Sequence, residues 1–161
     1  PGCLGTNEAT AMRPFRGVER IERSGPAQLE VVFKGNRRIW EVDLADWIEA
    51  VPMLAPLRDS DTFASVRLLD DGFTIEWVPD EIDLGGDQLW RMAGEQAGEL
   101  MPTAAFRGWR RKHGLSLSEA AEILGLSRRL VAYYDSGERA VPKTIGLACE
   151  GWEARQAKRA A

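Results

Sequence analysis

A chain of 161 residues has room for one ordinary domain or two small ones, and 44% hydrophobic with 29% charged residues is the balance of a soluble globular protein. No run approaches 18 apolar residues, which excludes a membrane-spanning helix. The net charge of -4 argues against a nucleic-acid partner for the whole, but the charge is uneven. Residues 1–101 hold ten basic and nineteen acidic side chains, a balance of -9, whereas residues 102–161 hold eleven and six, a balance of +5. An acidic part joined to a basic part points to nucleic acid for the basic one.

The opening PGCLGTNEAT has neither a basic nor an apolar signal region, so a cytoplasmic chain is expected. The missing initial Met reads as a tag remnant or a processed end, and this stretch is set aside from the fold. Cys3 and Cys149 are expected to be ordinary thiols of a reducing compartment. With one histidine, His113, and no cysteine pair at ligand spacing, neither a metal nor another cofactor is expected.

Strands are expected first. Residues 15–24 are one candidate, and in residues 28–34 Leu29, Val31 and Phe33 alternate with other side chains. Gly35-Asn36 is a hairpin signal, with residues 37–42 as the returning arm. Asp43 is an N-cap candidate for a short helix LADWIEA. Pro52 and Pro56 predict a loop, and Ser60 or Asp61 starts a second short helix. Residues 67–69 and 73–78 flank Asp70-Asp71-Gly72, a second hairpin signal, and residues 87–100 read as helix. The expected core is Leu29, Val31, Phe33, Ile39, Trp40, Leu44, Trp47, Leu57, Phe63, Ile75, Trp77, Leu89 and Trp90.

Beyond Pro102-Thr103 the texture becomes helical and arginine-rich. The fold class is therefore α+β: a small α+β domain over residues 12–100 and an all-α domain over 102–156, with the boundary near Met101. Phe106, Trp109 and His113 share one face of a first helix, which Gly114 ends. Ser116 and Glu119 form a capping box for a second helix running to Leu124. Gly125 suits a left-handed end, Leu126 plugs the corner and Ser127 caps a third helix over residues 127–136. Helix, tight turn and helix in about twenty residues is the pattern of a helix-turn-helix. Ala121, Leu124, Leu126, Val131 and Tyr134 form its seam. Pro142 begins a fourth helix with Ile145, Cys149 and Trp152 on one face.

Removing the seam from the third helix leaves Arg128, Arg129, Ala132 and Tyr133 to face a major groove. Arginine pairs bidentately with guanine or contacts phosphate, and Tyr133 reaches a phosphate or a thymine methyl. Ser116, Ser127, Arg107, Arg110, Arg111, Lys112, Arg139 and Lys143 are the further candidates, the basic ones for the DNA backbone.

The run LSLSEAAEILGLSRRLVAYYDSGERAVP resembles the Cro and lambda-repressor-like (XRE-like) helix-turn-helix family across about residues 104–152. Ala121, Gly125-Leu126-Ser127, Val131, Tyr134-Asp135, Gly137 and Pro142 carry the resemblance. It implies that residues 128–134 read bases. Leu117 departs from it, standing where many members place a phosphate-contacting Gln. The N-terminal part resembles a bacterial domain family of unknown function. Val42-Asp43-Leu44, Ala55-Pro56-Leu57-Arg58-Asp59, Phe63, Trp77, Asp83 and Asp87 carry that likeness, and some members look like antitoxins. This implies a partner-binding or dimerising role.

Catalysis is not expected. One histidine supports no nucleophile-plus-base set, Gly85-Gly86 is too isolated for a phosphate loop, and Asp80, Glu81, Asp83 and Asp87 read as a solvated loop before a helix. The six tryptophans lie on apolar faces and read as core. The expectation is a double-stranded-DNA-binding, homodimeric transcriptional regulator, with a protein-binding, antitoxin-like module as the alternative.

Overall fold

The computed structural model describes residues 16–161; Cys3 and the first residue of the opening strand candidate, Phe15, lie outside them. The chain divides into two compact units between Trp90 and Arg91, earlier than the expected boundary near Met101. None of the helices among the described residues is long and apolar enough to cross a membrane.

In the first unit, β1 (Val18–Arg23), β2 (Gln28–Phe33) and β3 (Ile39–Asp43) form an antiparallel sheet in that order. Alternation buries Leu29, Val31, Phe33, Trp40 and Val42 on one face. The same alternation corrects one expected core residue. Ile39 precedes the inward-facing Trp40, so it points outward and is 51% exposed. The hairpin is also looser than Gly35-Asn36 suggested: the connection spans 34–38, with Gly35 at φ 77° and the Asn36 side chain accepting from Arg38 N at 3.0 Å.

α1 (Ala45–Ala50) follows directly, its first amide donating to Asp43 Oδ1 at 2.8 Å. The stretch expected to be loop is a 3₁₀ turn over Pro52–Arg58. A three-residue repeat eclipses positions i and i+3, which buries both Leu54 and Leu57. α2 (Ser60–Ala64) is capped by Asp59, one residue before the expected start: Thr62 N donates to its carboxylate at 2.8 Å. This hydrogen bond holds the Asp59 carboxyl below its ordinary pKa.

β4 (Arg67–Leu68), β5 (Thr74–Val78) and β6 (Ile82–Gly85) form the second antiparallel sheet. β6 corrects the reading of the acidic stretch as solvated loop. Ile82 and Leu84 alternate inward between exposed Asp83 and Gly85, and Asp80 at φ 59° makes the turn. Glu76, buried, is ion-paired with Arg67 and accepts from Asp80 N at 3.1 Å. The Asp80 amide and Arg67 together hold its carboxyl below the ordinary range. Phe63 stacks on Trp77 at 5.9 Å, while Trp47 and Trp90 are half-buried.

α3 (Gly86–Gln96) contains the division point. In the second unit, β7 (Leu100–Met101) leads to α4 (Thr103–Lys112), α5 (Leu117–Leu124) and α6 (Arg128–Ser136). β8 (Val141–Pro142) then pairs antiparallel with β7, and α7 (Lys143–Ala160) closes the chain. This two-residue ladder was not expected, since strands so short carry no periodicity. Phe106, Trp109, Ala120, Ala121, Val131, Tyr134, Val141 and Cys149 form the core, with Leu124, Leu126, Ile145 and Trp152 packed against it. Ala120 and Ala121 are small enough for crossing helices to approach closely.

Candidate nucleic-acid interface

The geometry of α5 and α6 follows from local chemistry. Ser116 and Glu119 make both hydrogen bonds of the capping box, at 3.2 and 2.7 Å, and hydrogen bonds from the Ser116 side chain and amide to the Glu119 carboxyl depress its pKa. Gly125, at φ 67°, ends α5 in the left-handed region. Leu126 N returns to Ala121 O at 2.9 Å, and the Ser127 hydroxyl accepts from Leu130 N at 3.2 Å to begin α6. Three residues thus turn one helix into the next. Ser127 uses an oxygen lone pair in its cap, leaving its hydroxyl proton to donate to a ligand.

α6 has one face in the core, through Val131 and Tyr134, and one in solvent. At about 100° per residue, Arg129, Tyr133 and Ser136 lie opposite the buried pair, with Ala132 beside them and Arg128 to one flank. Arg128 and Arg129 are exposed, and Ala132 and Tyr133 are half-buried. Arg129 Nε donates to the Tyr133 hydroxyl at 2.6 Å. The guanidinium of Arg139, beyond Gly137, sits 5.2 Å from the same ring. Arg129, Tyr133 and Arg139 therefore come together, as do the two N-terminal caps with their helices. Arg111 and Lys143 are exposed on α4 and α7.

Three other arginines are drawn to the opposite end of α6. Arg110 donates to Asp135 Oδ1 at 2.8 Å and to Leu115 O at 2.8 Å, and its side chain is only 16% exposed. Arg107 donates to the Asp135 carbonyl at 3.0 Å, and Arg91 to the Gly137 carbonyl at 2.7 Å. Carbonyls at a helix C-terminus carry partial negative charge and lack intrahelical donors, which Arg107 and Arg91 supply, while Arg110 pairs with the Asp135 carboxylate. Arg110 and Arg107, expected as backbone contacts, are thus committed inside the unit. Arg91 was not anticipated at all, and no local pattern marks it.

Lys112 is likewise engaged, with Glu153 at 3.0 Å, and Glu153 also meets His113 Nε2 at 2.5 Å. The hydrogen bonds from His113 and Lys112 lower the Glu153 pKa. His113 packs edge-on against Trp152 at 4.9 Å, so it braces α4 against α7. Burial pushes the Tyr134 hydroxyl above its ordinary pKa and the Cys149 thiol up to about 11, which leaves that thiol unreactive.

Fold and site together describe a chain with an α+β first unit and a helical second unit whose outward helix is basic. No protein-family model and no curated protein matches it. A solved structure does: the "Putative DNA Binding Protein NE0471" of Nitrosomonas europaea ATCC 19718 is 38% identical, with a TM-score of 0.56, over 87% of this chain and 88% of that one. The chain belongs to the same family as that protein.

Proposed function

We propose that this chain is a DNA-binding regulator rather than an enzyme, and that α6 enters the major groove as the recognition helix of a Cro-like helix-turn-helix. The observation that carries the reading is the outward face of α6. Arg128, Arg129 and Tyr133 stand clear of the core on a helix whose two ends are fixed by a serine cap and by arginines. Relatedness to a protein described as DNA-binding supports it. Arg111, Arg139 and Lys143, with the Ser127 hydroxyl, supply phosphate contacts.

One recognition helix gives limited affinity and specificity. A homodimer presenting two such helices about 34 Å apart on a pseudo-palindromic site meets that need. A strictly monomeric mass by light scattering, with and without a bound duplex, overturns the dimer. Fluorescence anisotropy on duplexes from upstream of the gene tests the main reading. The wild type binds more tightly than to a scrambled duplex and with a steep salt dependence, whereas the Arg128→Ala/Arg129→Ala variant loses that preference. Absence of wild-type binding at low salt removes the reading.

A second reading rests on the first unit. Glu22, Glu30 and Glu41 stand in one cross-strand row over β1, β2 and β3. Like charges side by side cost stability, and of the three only Glu22 is ion-paired among the described residues, with Arg20 at 2.9 Å. A basic protein partner offsets that cost, as in an antitoxin-like role. Co-purification of a basic protein encoded next door, lost on neutralising the row, tests it.

A further inference from the structure

We infer that Tyr133 is a positioning residue for Arg129 and that the pair presents the guanidinium end-on to a guanine base. The inference rests on the DNA-binding reading of α6 and goes beyond it by separating the two exposed arginines and naming the base.

Arg129 and Tyr133 lie one helical turn apart on the outward face of α6. The hydroxyl of Tyr133 accepts from Arg129 Nε at 2.6 Å, and the Arg129 guanidinium carbon is 5.3 Å from the ring centroid. Arg139 stands 5.2 Å from the same ring, and its amide donates to the Tyr133 carbonyl at 3.1 Å. The phenol therefore has two cations beside its ring and holds one of them by its hydroxyl.

A guanidinium has five N–H donors in a fixed fork. With Nε–H given to Tyr133, the four donors on the two Nη atoms remain and form its free outer edge. Two of them, side by side, match the O6 and N7 acceptors that guanine alone presents together in the major groove. An arginine already held also loses less conformational freedom on binding. Arg128 differs on both counts. It lies on the flank of α6, and among the described residues its side chain has no hydrogen-bond or ion-pair partner, which suits a phosphate rather than a base.

The test uses the full chain. Duplexes are selected from a random library with the wild type, and each guanine of the selected site is then replaced in turn by 7-deazaguanine, which lacks the N7 acceptor. One guanine in each half-site is expected to cost the wild type about tenfold to a hundredfold in affinity when altered. Arg129→Ala removes that penalty at that position only. Tyr133→Phe keeps the ring but not the hydroxyl; it shrinks the penalty to a few-fold at an unchanged salt slope and speeds exchange of the Arg129 Nε–H seen by NMR. Both side chains are at least partly exposed, so the variants fold, and circular dichroism checks this. If Arg129→Ala keeps the same penalty at every guanine, or if Tyr133→Phe leaves both the penalty and the Nε–H exchange unaltered, the inference falls while DNA binding stands. If the wild type enriches no duplex, the DNA-binding reading falls and takes the inference with it.

Discussion

The outward face of α6 and its C-terminal end are both rich in arginine, yet they differ in kind. At the end, Arg91, Arg107 and Arg110 meet carbonyls and the Asp135 carboxylate at hydrogen-bond distance, with Arg110 and Asp135 less than a fifth exposed. On the face, Arg128 and Arg129 are exposed, and no acid among the described residues is ion-paired with them. A count of basic residues treats the two groups alike. The difference lies in what each guanidinium was given to bind, and it divides the residues that hold the helix from those available to a ligand.

That division can be broken by substitution. The largest effect is expected on binding: Arg128→Ala/Arg129→Ala weakens the duplex affinity more than tenfold, yet changes stability by less than about 0.5 kcal/mol, because exposed side chains that supply no cap hydrogen bond matter little to folding. Arg110→Ala does the reverse. Urea denaturation shows a loss of about 2–3 kcal/mol, since the half-buried Asp135 loses its hydrogen-bonded partner and keeps only Arg107 at 3.9 Å. A stability-neutral Arg110→Ala would remove the distinction.

Ser127→Ala tests the other end of the same helix. Losing the cap costs about 1 kcal/mol, read by the same denaturation. In the first unit, Glu30→Lys places a cation between Glu22 and Glu41 and is expected to stabilise by about 0.5 kcal/mol, an effect that fades with added salt. The smallest effect is in pH dependence. The Glu153 pKa is lowered from 4.5 in the folded state, so its contribution is fully present above the unfolded value and is lost as pH falls through the folded one. Thermal scans below pH about 4.5 should therefore decline more steeply for the wild type than for Glu153→Gln.

Local signals were legible wherever one residue decides a conformation. Ser116, Glu119, Gly125 and Ser127 each act on the backbone within four residues, and every one sits at the helix end the sequence assigned to it. In β3 the expected core takes Ile39 and Trp40 together and leaves out Val42, whereas alternation buries Trp40 and Val42 and turns Ile39 outward. β6 stayed hidden because its two apolar residues stand among acidic ones that read equally well as loop.

The sequence by itself determined the α+β then helical order, the three-residue turn between α5 and α6, and the identity of the exposed arginines on α6. Those features depend on contacts within a few residues or on a simple period. Only the tertiary structure decided that Arg110 and Arg107 belong to Asp135, that Arg91 reaches Gly137, and that Arg139 joins Tyr133. A guanidinium on a long, flexible stem takes whichever acceptor the fold brings within reach, and that acceptor is fixed by helix packing, which spacing along the chain does not encode.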